Sequence, residues 1–336
     1  MTTPEKPVPD HRLCVAPMMA YTDRDFRFFL RLISRRVMLY TEMVATGALL
    51  HGDGTRRLAF HPAEHPVGVQ LGGADPGALA NCARLAAQIG YDEVNLNVGC
   101  PSERVSHARI GACLMAEPDR VAECVAAMAA AAPVPVTVKT RIGIDSLDGY
   151  DDLRRFICTV EAAGCRTFIL HARKAWLNGL SPRENREAPP LRHDVVHRIK
   201  QDFPQLRIVI NGGIETLDQA RAQLARVDGA MMGRSVCANP YLLAFADAEI
   251  FGLDAAPSSR IEVLRQYMEY VEDRLHDGVP LHLLARHLPG LFHGQRGARR
   301  FRRLLGERTG DQGVQLETIR EALVQVSADQ PPAAGN

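Results

Sequence analysis

Residues 167–213 read TFILHARKAWLNGLSPRENREAPPLRHDVVHRIKQDFPQLRIVINGG, and the pattern of this stretch decides the fold. Thr167 to His171 is a short apolar, β-branched run, and Leu191 to Phe203 has helical periodicity. Arg207 to Asn211 is a second short run, closed by Gly212-Gly213. Strand, helix, strand in that order implies two parallel strands joined by a crossover. The unit repeats along the chain. Six further runs, Leu13 to Ala16, Val37 to Tyr40, Val67 to Leu71, Glu93 to Asn97, Val136 to Lys139 and Gly229 to Met232, bring the strands to eight. Helical windows such as Pro76 to Gly90, Asp119 to Ala132, Tyr150 to Gly164 and Thr216 to Leu224 lie between them. Eight alternating units close into a (β/α)8 TIM barrel more readily than they open into a doubly wound sheet. No GxGxxG follows the first strand, where a dinucleotide-binding fold would place its phosphate turn.

At 336 residues the chain exceeds the roughly 250 of one barrel. Gly252 to Ser259 (GLDAAPSS) reads as a linker, and helical patterns follow over Arg260 to Leu275, Val279 to Phe292, Gly297 to Arg308 and Leu316 to Val326. The expected organisation is a catalytic barrel over 1–254, an all-helical domain over 255–328 and a disordered tail over 329–336. Hydrophobic residues at 46% and charged residues at 24% suit a soluble α/β enzyme. A net charge of +1 excludes a globally basic protein, so any nucleic-acid contact must come from locally concentrated charge. Eight cysteines scattered without a CxxC pair argue against a metal site or a disulfide framework and for a reducing cytoplasm. Met1 to Asp10 lacks the apolar core of a signal peptide, and no apolar run is long enough for a membrane span.

In such a barrel the chemistry gathers at the C-terminal ends of the strands. Those ends carry Pro17-Met18-Met19, Thr41-Glu42-Met43, Gln70 through Gly73, Asn95 through Pro101, Lys139-Thr140-Arg141, His171-Ala172-Arg173, Asn211-Gly212-Gly213 and Gly233-Arg234. The glycine-rich ends of the last two strands let backbone N–H groups and helix N-termini approach a phosphate; alone, Asn211-Gly212-Gly213 is equally a tight turn. Lys139 either faces ligand charge across the mouth or snorkels to the rim. His171 reads as a ligand contact or a satisfied core histidine. The amide of Gln70 can both donate and accept, which suits the edge of a heteroaromatic ring. Cys100 sits between Gly99 and Pro101, a sharp loop that presents a thiol at the mouth, whereas the other seven cysteines read as small buried hydrophobes.

From His282 to Arg308 the chain holds Arg286, Arg296, Arg299, Arg300, Arg302, Arg303 and Arg308 with Glu307 as the one acid. On a helix over Gly297 to Arg308, Arg299, Arg302 and Arg303 share one face, and Phe301, Leu304 and Leu305 another. Such a face is either simply solvated or meets a polyanion. Arg183 and Arg186 form a second basic group after the sixth strand.

Taken together, Pro17-Met18-Met19, Tyr40-Thr41-Glu42-Met43, Gln70-Leu71-Gly72-Gly73, Asn95 to Ser102 (NLNVGCPS), Val138 to Arg141, His171-Ala172-Arg173 and Asn211-Gly212-Gly213 resemble the tRNA-dihydrouridine synthases. Thr22-Asp23-Arg24, Arg141 to Asp145 (RIGID) and His171 to Pro182 (HARKAWLNGLSP) are similar to the DusA subfamily, which reduces the adjacent D-loop uridines 20 and 20a of tRNA. The resemblance implies FMN across the barrel mouth, touched by Pro17, Met18, Met19, Gln70, Lys139 and His171. Its phosphate would be held by Asn211, Gly212, Gly213, Gly233 and Arg234. It further implies NADPH as electron donor, hydride transfer from flavin N5 to uracil C6 and protonation of C5 by Cys100. By the same resemblance Asn97 positions the flipped uracil and Arg183, Arg186, Arg299 and Arg302 contact tRNA. A monomer with no obligate protein partner is expected. Two other readings compete: a flavin barrel acting on a small pyrimidine or enone, which would lack the arginine-rich helices, and a noncatalytic tRNA-binding protein, which would lack flavin.

Overall fold

A computed structural model describes residues 8–102, 109–254, 256–308 and 316–327. Eight strands form one parallel sheet: β1 (Leu13–Val15), β2 (Leu39–Ala45), β3 (Val67–Gly72), β4 (Glu93–Val98), β5 (Val136–Arg141), β6 (Thr167–His171), β7 (Arg207–Asn211) and β8 (Gly229–Met232). Their order is β1-β8-β7-β6-β5-β4-β3-β2. The ring closes where Cys14 bridges Met38 in parallel, with Val15 N–H donating to Met38 O at 2.9 Å and Met38 N–H to Leu13 O at 3.0 Å. The expected (β/α)8 barrel is therefore present. Its interior holds Cys14, Ala16, Met38, Tyr40, Ile169, Val209 and Met231, with Met18 packed against them.

Local sequence sets the helix ends between strands. The helix Pro76–Ile89 starts with proline at its first position and Asp75 as cap, accepting from Ala78 N–H at 2.7 Å. It stops at Gly90. Thr216 caps Leu217–Leu224 and Ser259 caps Arg260–His276 in the same way. Among the described residues no helix is long and apolar enough to cross a membrane.

Two expected elements differ. The second strand, read as Val37 to Tyr40, runs over Leu39–Ala45, so Thr41-Glu42-Met43 lies inside it. Its pairing with β3 shifts between Tyr40 and Met43, and at that irregularity the hydroxyl of Thr41 accepts from Gln70 N–H at 3.0 Å in place of a ladder carbonyl. The helix read over Val279 to Phe292 is helical only at Leu281–Ala285. Pro289 has no N–H to continue a helix, and Gly290 lies so close to Ala238 that a Cβ there would come within 2.7 Å of its carbonyl oxygen.

The chain divides into two compact units, residues 1–24 with 36–233 and residues 25–35 with 234–336. In the second, three aromatics of the helix Arg24–Ile33 meet aromatics far along the chain. Phe28 stacks on Tyr270 at 3.9 Å between centroids, Phe29 tilts against Tyr267 at 4.9 Å and Phe26 stacks on His287 at 5.0 Å. Asp25 accepts from Tyr270 Oη and Arg274 Nε at 2.7 and 2.9 Å. Further on, Phe292 packs edge-on against Phe301 of the helix Ala298–Arg308. The expected tail, 329–336, lies outside the described residues.

Candidate active site

Successive side chains of a strand alternate between faces, so Glu93, Asn95 and Asn97 of β4 fall on one face together. Sheet register sets Gln70 of β3 beside Asn95, Asn95 beside Thr137 of β5, and Asn97 beside Lys139. The result is a continuous hydrogen-bonded row. Gln70 donates from Nε2 to Asn95 Oδ1 at 2.8 Å, and Asn95 donates from Nδ2 to Thr137 Oγ1 at 2.8 Å. Thr137 donates to Glu93 Oε1 at 2.6 Å. Glu93 also accepts from Tyr40 Oη at 2.8 Å and meets His11 Nε2 at 2.6 Å. Burial and the nearby Glu93 charge push the Tyr40 phenol well above its usual pKa, so it stays a donor.

Above this row Asn97 organises the turn that carries the thiol. Its Nδ2 donates to Gln70 Oε1 at 2.8 Å, and its Oδ1 accepts from the backbone N–H groups of Gly99 and Cys100, both at 3.0 Å. Cys100 is half-buried, with Sγ 3.7 Å from Ser102 Oγ, and its carbonyl accepts from Ala112 N–H at 2.9 Å. Arg141 braces the same turn, donating from Nε to Gly99 O at 3.1 Å and from Nη1 to Asn185 O at 2.8 Å. Of the other cysteines, Cys14, Cys82, Cys124 and Cys165 are buried as expected. Cys113 and Cys237 are half-buried, and Cys158 is exposed on the helix Tyr150–Ala162, where a small residue of any polarity is tolerated.

The next strand ends are cationic. Burial, reinforced by the charge of Arg141, pushes the Lys139 ammonium down to about 7. Burial lowers Arg141 to about 10, helped by Arg186 and Arg173. His171 falls well below its ordinary value through burial and the charges of Arg141, Lys139, Arg173 and Arg186. These groups repel one another, and the hydrogen-bond partner of Lys139 Nζ is the neutral Asn211 Oδ1 at 3.1 Å. Asn211 in turn donates from Nδ2 to Met231 O at 2.8 Å. Positive charge at a buried Arg141 and a half-buried Lys139, held by neutral amides and carbonyls, is suited to an anion.

Gly212 and Gly213 follow Asn211 with φ of 110° and 70°, a backbone that side-chain-bearing residues rarely adopt. A Cβ on Gly212 would fall 2.7 Å from Cδ2 of His171. The pair therefore keeps backbone beside the imidazole. After β8, Gly233 is half-buried and Arg234 opens a short helix with its side chain exposed. After β1, Pro17 and Met18 are half-buried and Met19 is 60% exposed. The turn they form holds Ala20 at a φ of 64°, its N–H donating to a carboxylate oxygen of Glu42 at 2.5 Å.

Arg183 and Arg186 are exposed around the buried Asn185, whose side chain donates to Trp176 O and Leu180 O at 2.9 and 3.1 Å and accepts from Trp176 N–H at 2.8 Å. On Ala298–Arg308, Phe301 and Leu305 are buried while Arg299, Arg300, Arg302 and Arg303 are exposed, the division expected from helical spacing. The residues that sequence reasoning missed are Glu93 and Thr137, and it gave Asn95 a place at a strand end but no role. Their signal was the alternation of polar residues in Glu93-Val94-Asn95-Leu96-Asn97, which in a barrel strand places a polar row in the interior.

Fold and site together define a (β/α)8-barrel protein whose mouth combines an ordered thiol with an anion-seeking cluster of cations. The dihydrouridine synthase (Dus) family model matches residues 14–327. The chain is 53% identical over 316 residues to a tRNA-dihydrouridine(20/20a) synthase of Vibrio cholerae, covering 94% of this chain and 96% of that one. It is 56% identical over 300 residues to the protein of the same name in Pseudomonas putida, covering 89% of each. The chain belongs to the dihydrouridine synthase family. Among solved structures, a 2-naphthoyl-CoA reductase complex superposes with a TM-score of 0.53 at 14% identity, covering 71% of this chain and 50% of that one, a likeness of fold alone.

Proposed function

We propose that this chain reduces uridine to 5,6-dihydrouridine in the D-loop of tRNA, at positions 20 and 20a, with FMN bound in the barrel mouth and NADPH as electron donor. The observation that carries the reading is the meeting, in one barrel, of the Asn97-ordered Cys100 turn with the half-buried Lys139 and the buried Arg141. Relatives at 53% and 56% identity bearing the name tRNA-dihydrouridine(20/20a) synthase support the substrate.

The residues present fit FMN. A lysine with a depressed pKa and a neutral partner favours a ligand that restores its charge, as an anionic isoalloxazine ring would. Gly212 and Gly213, with Asn211, Gly233 and Arg234, are residues that would hold its phosphate; Pro17, Met18, Met19, Gln70 and His171 would line its ring. Bound and reduced, FMN supplies a hydride for C6 of the uracil.

The chain's own groups do the rest. Uracil C5 and C6 are shielded in a stacked RNA base, so the uridine must be drawn out of the tRNA fold, at a cost of a few kcal/mol in unstacking. Arg183, Arg186, Arg299 and Arg302 offset that cost by pairing with phosphates. Asn97 positions the extruded base, and Cys100 Sγ–H gives its proton to C5 as negative charge develops on the ring, leaving a thiolate beside Lys139 and Arg141. Hydride and proton together saturate the C5–C6 bond. Eight free cysteines suit the reducing cytoplasm in which tRNA matures.

Mapping dihydrouridine in tRNA from cells lacking the gene, and from the same cells with it restored, tests the reading. Loss at 20 and 20a on deletion, with return on complementation, is expected. Unchanged dihydrouridine at both positions would overturn it.

A further inference from the structure

The polar row inside the barrel has a direction. Asn97 Oδ1 faces two backbone N–H groups, Gly99 and Cys100, and a backbone N–H can only donate. The other end of that amide, Nδ2, is thereby turned to Gln70, which must present Oε1. Gln70 then offers Nε2 to Asn95 Oδ1, and Asn95 offers Nδ2 to the oxygen of Thr137. With that lone pair occupied, Thr137 directs its own proton to Glu93. The line ends on a carboxylate oxygen that also accepts from Tyr40. Starting from Glu93 and working upward gives the same assignment.

Both ends thus demand one polarity. Flipping any amide would set donor against donor and acceptor against acceptor. Glu93, Asn95 and Thr137 are 0% exposed and Gln70 1%, so water has no access to repair the mismatch. Glu93 is buried on both sides of the row's foot, with Oε2 2.6 Å from His11 Nε2 and Oε1 accepting from Thr137 and Tyr40. With two hydroxyls donating to Oε1, the foot of the row receives protons from above, the same direction that the backbone N–H groups set at its top.

We infer that Glu93, Thr137 and Asn95 are positioning residues, which set the amide orientation of Gln70 and Asn97 and, through Asn97, the turn that presents Cys100. The inference rests on the proposed reaction, in which Cys100 is the proton donor. None of the three needs to touch the uridine.

Thr137→Val keeps the side chain's size and removes the link, whereas Thr137→Ser keeps the hydroxyl. In the full-length flavin-loaded protein, the valine variant is expected to speed hydrogen exchange at the Gly99 and Cys100 amides while leaving the rest of the barrel protected. Single-turnover dihydrouridine formation should fall about 10- to 100-fold, the range a small misplacement of a reacting group produces. Flavin content and the KM for tRNA should change far less than the rate, and serine should restore both exchange and rate. Exchange and rate unchanged in the valine variant would overturn the inference, as would exchange rising uniformly through the barrel. Should Cys100→Ala form dihydrouridine at the normal rate, the proton-donor reading fails, and the exchange comparison still decides for or against the row by itself.

Discussion

Two polar regions of this molecule are built in opposite ways. In the barrel, Glu93, Thr137, Asn95, Gln70 and Asn97 are buried and each satisfies the next. Along Ala298–Arg308, Arg299, Arg300, Arg302 and Arg303 are exposed on a helix whose buried side is Phe301 and Leu305. The difference separates two uses of polarity. A buried, directional row holds atoms to a geometry and tolerates little change, because each member left without its partner costs about 1–3 kcal/mol. An exposed cationic face carries long-range attraction with little geometry, and its members act nearly independently.

Substitutions should therefore act sharply in the barrel and gradually on the helix. The largest effect is expected at Gly212→Ala, where a positive φ and the ring of His171 both refuse a Cβ. FMN should be lost on purification, and dihydrouridine formation with it, as followed by absorbance of the purified protein and by product assay. Retained stoichiometric flavin would show that this turn does not shape the cofactor site. Changing Arg299 and Arg302 together to Ala should weaken tRNA binding by about tenfold at moderate salt. The slope of log K against log salt should shrink by about two, roughly one for each phosphate no longer neutralised. Flavin content should not change, and a tRNA affinity equal to wild type would return these arginines to a merely solvated face.

A smaller effect concerns protons. Lys139 is depressed to about 7 from an ordinary value of 10.5, so between those pH values the unfolded chain holds a proton there that the folded, ligand-free barrel lacks. In that window this group's contribution to stability rises with pH, and below about 7 it is a constant cost. An anionic ring bound beside Lys139 raises its pKa again, so anaerobic binding of reduced FMN by apoprotein near pH 8 should take up a fraction of one proton at Lys139. Calorimetry in buffers of differing ionisation enthalpy measures it, and zero uptake would remove Lys139 from the anion site. Least of all should follow from Cys158→Ser, an exposed thiol outside the site, which should leave activity intact and stability within about 0.5 kcal/mol.

The barrel was legible because its signals are local. Thr167–His171, Arg207–Asn211 and Gly229–Met232 match the apolar runs read from sequence. The start and end of β2 were not legible: Val37 and Met38 look like strand yet contribute a single bridge. Thr41 looks polar enough for a loop yet bonds across the β-bulge through its side chain. At the site, Cys100 and the Gly212-Gly213 pair stand out by residue type. The row beneath them does not, since Gln70, Asn95 and Thr137 come from three strands and only their register joins them. Nor does any local pattern reveal that Phe26, Phe28 and Phe29 of an early helix pack on His287, Tyr270 and Tyr267.

One measurement bears most directly on the proposed chemistry: single-turnover reaction of the flavin-loaded protein, reduced beforehand by NADPH, with tRNA that has never been modified. Wild type should reoxidise its flavin and form dihydrouridine in step. Cys100→Ala should bind and reduce FMN normally yet form dihydrouridine at least about a hundredfold more slowly, the scale of a lost general acid. Product formation by that variant at the wild-type rate would contradict the assignment of Cys100 as proton donor and leave the turn above Asn97 without a catalytic purpose.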